Sequence, residues 1–211
     1  MIVNIIAAYC KNGGLGKNNT LLWNIKSDMA KFKKLTIGNG NNAIIMGRKT
    51  FESLNRAKGL NARDNLILSK SLEINENNGK NSVKSFSTLE QLAEYVKTKN
   101  YSELWIIGGA EIYELFLNNY KKQENSIFNI NEIIITYIDT DYDCDCYFPD
   151  LNNYIDKYNL LFYSKNIIHN NDNNDISLNS LNSLNTNISN NDPSLVCKQN
   201  YNIYEIIYKF I

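Results

Sequence analysis

Between Gly14 and Phe32 the chain reads GLGKNNTLLWNIKSDMAKF and holds a single carboxylate, Asp28. Helical i,i+4 spacing puts Asp28 on the same face as Phe32, where a helix otherwise needs apolar side chains. An acid in that place is a candidate site. Its ordinary alternative is that Ser27 and Asp28 cap the first helical turn and meet its free N–H groups. Three glycine corners follow apolar runs: Gly14-Leu15-Gly16, Gly47-Arg48-Lys49-Thr50 and Gly108-Gly109-Ala110. Such corners let backbone approach an anion closely, and a helix starting there offers N–H groups to a phosphate. Arg48, Lys49 and Lys70 are the cations placed to meet a phosphorylated dinucleotide. Arg63, just before an apolar run, suits a carboxylate gripped in two-pronged fashion, or a nearby surface acid.

Other chemistries find less support. Neither the Walker phosphate loop nor G-x-G-x-x-G after the first strand is present. No His, Cys and Asp set has metal-ligand spacing, so no metal is expected, and no serine sits in a nucleophile elbow. The 22 basic and 22 acidic residues cancel. That balance offers nothing to attract nucleic acid or an anionic membrane. Cys10, Cys144, Cys146 and Cys197 read as reduced thiols of a cytoplasmic protein. The opening MIVNIIAAYC lacks a basic flank and is too short to span a bilayer.

The elements that must position these residues alternate between strand and helix. Short apolar runs at Ile2–Tyr9, Ala43–Met46, Asn65–Ser69, Val83–Phe86, Leu104–Ile107 and Ile133–Ile138 read as strands, most of them buried on both faces. Helices are expected over Ser27–Leu35, from Arg48 through Leu54, over Thr88–Thr98 with Ser87 or Thr88 as cap, and over Glu111–Asn118. Ser71–Lys84 reads as a surface loop and Asp139–Asp145 as a turn-rich acidic segment. Leu160–Lys165 and Asn202–Phe210 are expected to form a late antiparallel hairpin. Its arms are separated by an asparagine-rich insertion at about 166–198, densest over Asn170–Asp192, with too few apolar residues to offset the entropy of ordering. The whole is expected to be one α/β domain over 1–211: a mostly parallel central sheet with an antiparallel C-terminal edge and flanking helices.

Several motifs in order carry a resemblance. They are I-I-A-A at Ile5–Ala8, G-L-G-x-N-N-x-L-x-W at Gly14–Trp23, Asp28 five residues later, M-G-R-K-T-F-E-S-L at Met46–Leu54, Arg63-x-Asn65, I-L-S at Ile67–Ser69, I-I-G-G-A-E-I-Y at Ile106–Tyr113, Thr136, and Phe148-Pro149. Together they resemble the dihydrofolate reductase family, including the reductase domain of protozoan bifunctional enzymes. The resemblance runs from Ile2 to about Pro149 and resumes at Tyr201–Lys209. It implies NADPH-dependent reduction of 7,8-dihydrofolate to tetrahydrofolate, by hydride transfer to C6 and protonation at N5, in one-carbon metabolism. It also implies a functional partner in a separate thymidylate synthase. Asp28 would hold the pterin's 2-amino and N3 groups and assist the protonation, Trp23 would order a water nearby, and Leu21 would complete the catalytic set. Ile6, Ala7, Met29, Phe32, Leu54, Ile107 and Tyr113 would wall the substrate; Thr136 would bond the carboxylate and Arg63 the glutamate α-carboxylate. Ala8, Leu15, Gly16, Gly47, Arg48, Lys49, Thr50, Ser69, Lys70, Gly108, Gly109, Ala110, Glu111, Ile112 and Tyr113 would line the NADPH site.

The chain departs from that family's pattern in places. Leu22 stands where a proline usually precedes the tryptophan, removing a φ constraint, so altered loop flexibility is expected. Asn61-Ala62 replaces Pro-Gly before Arg63, which bears on that turn and on the reach of the guanidinium. Phe51 replaces a commoner tryptophan. Two competing readings are a riboflavin-pathway reductase, which lacks the Trp23 and Asp28 signature, and a degenerate binding module. The latter predicts damage at Asp28, Gly108-Gly109 or Thr136, and all are present.

Overall fold

A computed structural model describes residues 1–56, 58–77, 81–120, 127–158, 160–169 and 202–210. The elements in chain order are β1 (Ile2–Cys10), β2 (Gly14–Gly16), α1 (Lys26–Ile37), β3 (Asn42–Gly47), α2 (Arg48–Ser53), β4 (Asp64–Leu68), β5 (Asn75–Asn77) and β6 (Ser82–Phe86). They continue with α3 (Leu89–Lys97), β7 (Glu103–Gly108), α4 (Ala110–Asn119), β8 (Ile130–Ile138), β9 (Cys146–Tyr147), α5 (Asn152–Tyr158), β10 (Leu160–His169) and β11 (Ile203–Phe210).

Nine strands form one sheet in the order β10-β11-β8-β1-β7-β3-β4-β6-β5. The block from β8 through β6 is parallel, and β11 and β10 add to it antiparallel. The fold is thus the expected α/β arrangement. Neighbouring residues of a central strand point to opposite faces, and both faces are covered. Ile5 and Ile45 join Phe116 and Leu117 of α4 and Leu92 and Val96 of α3 on one side. Ile6, Ile44 and Met46 join Phe32 and Leu35 of α1 and Phe51 of α2 on the other. A third cluster of Cys10, Leu22, Trp23, Ile25, Ile138 and Cys144 lies beneath the first glycine corner. Among the described residues no helix is long and apolar enough to cross a membrane.

Several elements differ from the expectation. The Ser71–Lys84 stretch contains β5, which pairs antiparallel with β6 and makes the second edge antiparallel too. The glycine corner Gly14–Gly16 is itself a short strand paired with β9, at the end of the acidic segment. Helix α5 has no counterpart in the sequence reading. Strand β10 runs four residues past Lys165, to His169, and its pairing with β11 forms the late hairpin. The densest asparagine-rich stretch, Asn170–Asp192, and Cys197 lie outside the described residues. Helix α1 starts one residue before Ser27, with Ile25 at its N-cap and no side-chain cap, so Ser27 does not cap it. At α3 the capping expectation holds. Thr88 Oγ1 accepts from the Gln91 backbone N–H, and the Gln91 side-chain oxygen accepts from the N–H and hydroxyl of Ser87, the residue before the cap.

The turn before β4 positions Arg63. Asn65, fully buried, accepts from Leu60 N–H at 2.8 Å and donates to the carbonyls of Leu60 and Arg63 at 3.0 and 2.9 Å. Within that turn Ala62 sits at φ +63°, a left-handed conformation that its Cβ resists. Glycine relieves that clash but loses more entropy on folding. Ala62→Gly is therefore expected to stabilise the protein by about 1 kcal/mol in urea unfolding. A loss of stability would show that the turn carries no such strain.

Candidate active site

The C-terminal ends of β1, β3 and β7 open onto a cavity of about 1250 Å³. That exceeds the roughly 300–1,000 Å³ of a site for one small molecule. Its walls come from all three glycine corners, through Leu15 and Gly16, Gly47 to Thr50, and Gly109 and Ala110. Gly47 leaves no spare room, since a Cβ there would stand 3.0 Å from Ile112 Cγ1. At α4 the N-cap is Gly109, which offers no side-chain cap, and Gly109, Ala110 and Glu111 all line the cavity. A ten-residue helix thus turns its free N–H groups and the positive end of its dipole toward that wall.

The opposite wall carries the carboxylate. Asp28 lies in the first turn of α1, and Thr136 Oγ1 of β8 donates to its Oδ1 at 2.5 Å. Among the described residues its other oxygen has no hydrogen-bond partner. Met29, Phe32, Leu54, Ile6, Ala7 and Ile107 surround it with apolar surface. Burial pushes the Asp28 carboxyl above the usual carboxylate range, while the Thr136 hydrogen bond and the Lys31 ammonium pull it back. Tyr113, also in the wall, commits its hydroxyl to the Ile6 carbonyl at 2.8 Å, and burial holds that phenol neutral.

The hairpin Lys17–Thr20 overhangs this space. Lys17 and Thr20 exchange backbone hydrogen bonds around Asn18 and Asn19, both at positive φ, the geometry of a two-residue hairpin turn. Asp145 Oδ2 accepts from Asn18 N–H at 2.9 Å, and Lys17 pairs with Asp143.

Residues 2–182 match the family model described as dihydrofolate reductase. The chain belongs to the dihydrofolate reductase family. It is 31% identical over 156 residues to the dihydrofolate reductase of Heliothis virescens, covering 71% of this chain and 80% of that protein. With the Haemophilus influenzae enzyme it shares 34% over 152 residues, 72% of this chain and 81% of the other. A bifunctional dihydrofolate reductase-thymidylate synthase of Paramecium tetraurelia is 34% identical over 144 residues, 68% of this chain and 27% of that one. The fold is similar to a solved dihydrofolate reductase from Enterococcus faecalis complexed with NADP(H). The TM-score is 0.66 at 17% identity, over 99% of this chain and 96% of the other.

Within this reductase fold the cavity gathers most residues singled out in the sequence, Ala8, Leu21, Ser69, Lys70 and Ile112 included. Four stand outside its lining. Thr136 acts from behind, through Asp28. Gly108 lies beneath the surface at φ +100°. Trp23 is buried against Tyr142, ring centroids 5.5 Å apart, with an indole N–H that no described residue accepts. Arg63 sits under Phe32, its guanidinium 5.6 Å from the ring centroid, and lines a separate polar cavity of about 330 Å³. It donates to Thr36 Oγ1 and, at 3.4 Å, to the Lys33 carbonyl, while its buried Nε has no partner among the described residues. Burial, with Arg56 nearby, lowers its pKa to about 10, which still leaves a cation at neutral pH. Leu22 is buried in the third cluster and so anchors the hairpin by packing, where the family's proline would do so by fixing φ.

The cations are not equivalent. Arg48 already pairs with Glu52, one guanidinium nitrogen donating to both carboxylate oxygens at 2.8 and 3.1 Å, whereas Lys49 and Lys70 have no ion pair among the described residues. Sequence reasoning missed Ser87 to Glu90 at the start of α3, and Asp145 and Cys146, all in the lining. The Thr88 cap signal marked the first group as a helix start but not as a wall. For Asp145 and Cys146 no local pattern exists, because only the pairing of β2 with β9 brings them here.

A Cβ at Gly108 would stand 2.7 Å from the Tyr113 ring, on a backbone conformation that side chains rarely adopt. Gly108→Ala is therefore expected to cost about 2 kcal/mol or more in urea unfolding. An unchanged midpoint would mean that the Tyr113 ring yields freely.

Proposed function

We propose that this chain reduces 7,8-dihydrofolate to 5,6,7,8-tetrahydrofolate with NADPH, in the cytoplasm. The observation that carries the reading is the Thr136-bound carboxylate of Asp28, set in an apolar wall across the cavity from glycine-lined backbone. A flat heterocycle with an amino group beside a ring N–H matches the open side of that carboxylate. Phe32 and Ile107 supply apolar faces for such a ring. The 2-amino group and N3 of the pterin bind Asp28, which fixes the ring in one orientation and favours protonation at N5 through water. The unaccepted indole N–H of Trp23 is a donor for an ordering water.

The other wall fits NADPH. Gly47 leaves no room for a side chain against Ile112, and the uncapped start of α4 at Gly109 suits a diphosphate. Lys49 and Lys70 are free to meet a 2′-phosphate. Gly47 to Thr50, Ser69, Lys70 and Gly109 to Tyr113, with Ala8, Leu15 and Gly16, would hold the cofactor, which supplies a hydride when bound. The chain's own contribution is closeness, orientation and exclusion of water, the hairpin from Gly14 to Leu21 covering the reacting rings. Arg63, buried with no acid partner among the described residues, would meet the substrate's α-carboxylate at the Phe32 edge. Two relatives, from Paramecium tetraurelia and Arabidopsis thaliana, join a reductase to thymidylate synthase. We infer thymidylate synthase as the functional partner here.

Absorbance of NADPH, followed with and without dihydrofolate, tests the reading. Absence of dihydrofolate-dependent oxidation by the folded protein would overturn it. Asp28→Asn is expected to lower turnover by about 10²-fold or more. The same change should stabilise the unliganded fold. Because burial raises the folded-state pKa of Asp28, its ionised form costs stability. That cost is absent below the unfolded-state pKa and grows as pH rises through the folded one. The thermal midpoint of Asp28→Asn should thus exceed that of wild type at neutral pH and approach it in acid. Equal turnover would remove Asp28 from the chemistry.

The asparagine-rich tract is read as a passive insertion in a single domain. Shortening Asn170–Asp192 should leave turnover within about twofold, as surface-loop changes generally do. A large loss of turnover with folding intact would contradict this.

A further inference from the structure

Helix α1 carries four lysines, Lys26, Lys31, Lys33 and Lys34, and only Lys31 is drawn inward; the other three are exposed. It follows Asp28 by three residues, so both point to the same side of the helix. Its ammonium pairs with Glu205 of β11, both side chains being largely covered at 25% and 20% exposure. Beyond that pair, Lys31 Nζ has no hydrogen-bond partner among the described residues. Glu205 in turn stands in register with Thr136 of β8, the residue whose hydroxyl binds Asp28. Four side chains on three elements therefore close a ring: Asp28, Thr136, Glu205 and Lys31.

We propose that Lys31, anchored by Glu205, is a positioning residue that sets the protonation of Asp28. The surroundings of Asp28 leave it little competition. Strand β1 presents Ile6, Ala7 and Ala8, and β8 presents the neutral Thr136. The Tyr113 hydroxyl is committed to the Ile6 carbonyl. From α1 the charged neighbour is Lys31, and from β11 it is Glu205. One cation is thus shared between two carboxylates, and each carboxylate limits what the other receives. Burial works against charge on both Asp28 and Lys31, and their mutual attraction opposes it. Were Glu205 absent, the full charge of Lys31 would act on Asp28. Were Lys31 absent, Asp28 would lose its cation, and Glu205, in register with Thr136, would lose the ammonium that neutralises it. The pair holds the active-site carboxyl between those extremes.

The proposal deepens the reading of Asp28 given above and rests on it for its meaning in turnover, but its test does not need turnover. In the unliganded protein labelled with carboxyl-¹³C aspartate, the Asp28 resonance is assigned by its loss in Asp28→Asn and titrated. Lys31→Met should raise the Asp28 midpoint by about one pH unit. Glu205→Gln should lower it, the double variant should return close to wild type, and Lys31→Arg should stay close to wild type. Opposite signs from the two halves of one ion pair are the signature, since general loosening of the site would move both the same way. An Asp28 midpoint unmoved by Lys31→Met, or moved in the same direction by both changes, overturns the proposal. Should Lys31→Met fail to fold, the near-isosteric Glu205→Gln decides alone: a lower midpoint supports the proposal and an unchanged or higher one sinks it. In NADPH oxidation with dihydrofolate, the acid inflection of the pH profile should move with each midpoint. Shifted midpoints in a protein without that activity would sink the reductase reading and leave the inference standing.

Discussion

The hydrogen bond from Thr136 to Asp28 is the constraint on which the rest of the site depends. It joins the first turn of α1 to the C-terminal part of β8 across 108 residues of sequence. A carboxylate withdrawn from water costs several kcal/mol unless something receives its charge. One hydroxyl and one nearby ammonium do so only in part, which is why the carboxyl remains above its ordinary range. The fold tolerates an incompletely satisfied acid at the mouth of a cavity. On the function proposed above, a ligand that brings two N–H groups would complete the set, and the cost borne by the protein alone would become affinity and orientation for one class of ring.

That acid is useful only because the facing wall is made of backbone. Strands β3 and β7 are neighbours, and each ends in glycine at the same level of the sheet. The Cβ distances at Gly47 and Gly108 show that Ile112 and Tyr113 already fill the space a side chain would need, so both positions must stay bare for the wall to keep its shape. The overhanging hairpin is braced from outside the sheet by β9, Asp143 and Asp145. Motion of the hairpin therefore requires breaking a two-strand ladder, one exposed ion pair that contributes little and the Asn18–Asp145 hydrogen bond, while Leu22 and Trp23 keep its base fixed in the core.

The central strands were legible because burial on both faces demands unbroken apolar runs, and Ile44, Ile45 and Met46 or Leu104 to Ile106 obey that rule whatever they pack against. Helix α3 announced itself through period and cap. Elements defined only by their partners left no such trace. Strands β2, β5 and β9 span two or three residues, too few for any period, and exist because another strand lies alongside. Helix α1 begins at an apolar N-cap, so Ser27 and Asp28, which look like caps, misplace its start and disguise the acid's role. The pairing of Asp28 with Thr136 came from resemblance, since nothing in local spacing links residues so far apart. Arg63 was legible as a cation before a strand, but not as one folded under Phe32.

The two departures next to the site illustrate different ways of keeping a geometry after its usual residue is lost. At position 22 a proline's fixed φ is replaced by a buried leucine, which restrains the hairpin through contacts with Cys10, Ile138 and Cys144. Such a restraint acts only in the folded state and leaves the unfolded chain freer than proline would. At position 62 the turn keeps its left-handed residue although alanine has taken the place of glycine. There the conformation is imposed by Asn65, whose three hydrogen bonds hold Leu60 and Arg63 on either side of it. At position 22 a contact distant in sequence, and at position 62 a buried side chain three residues on, carries what the backbone preference of proline or glycine would otherwise carry. The site's geometry is thus set by the core beneath it more than by the loops that display it.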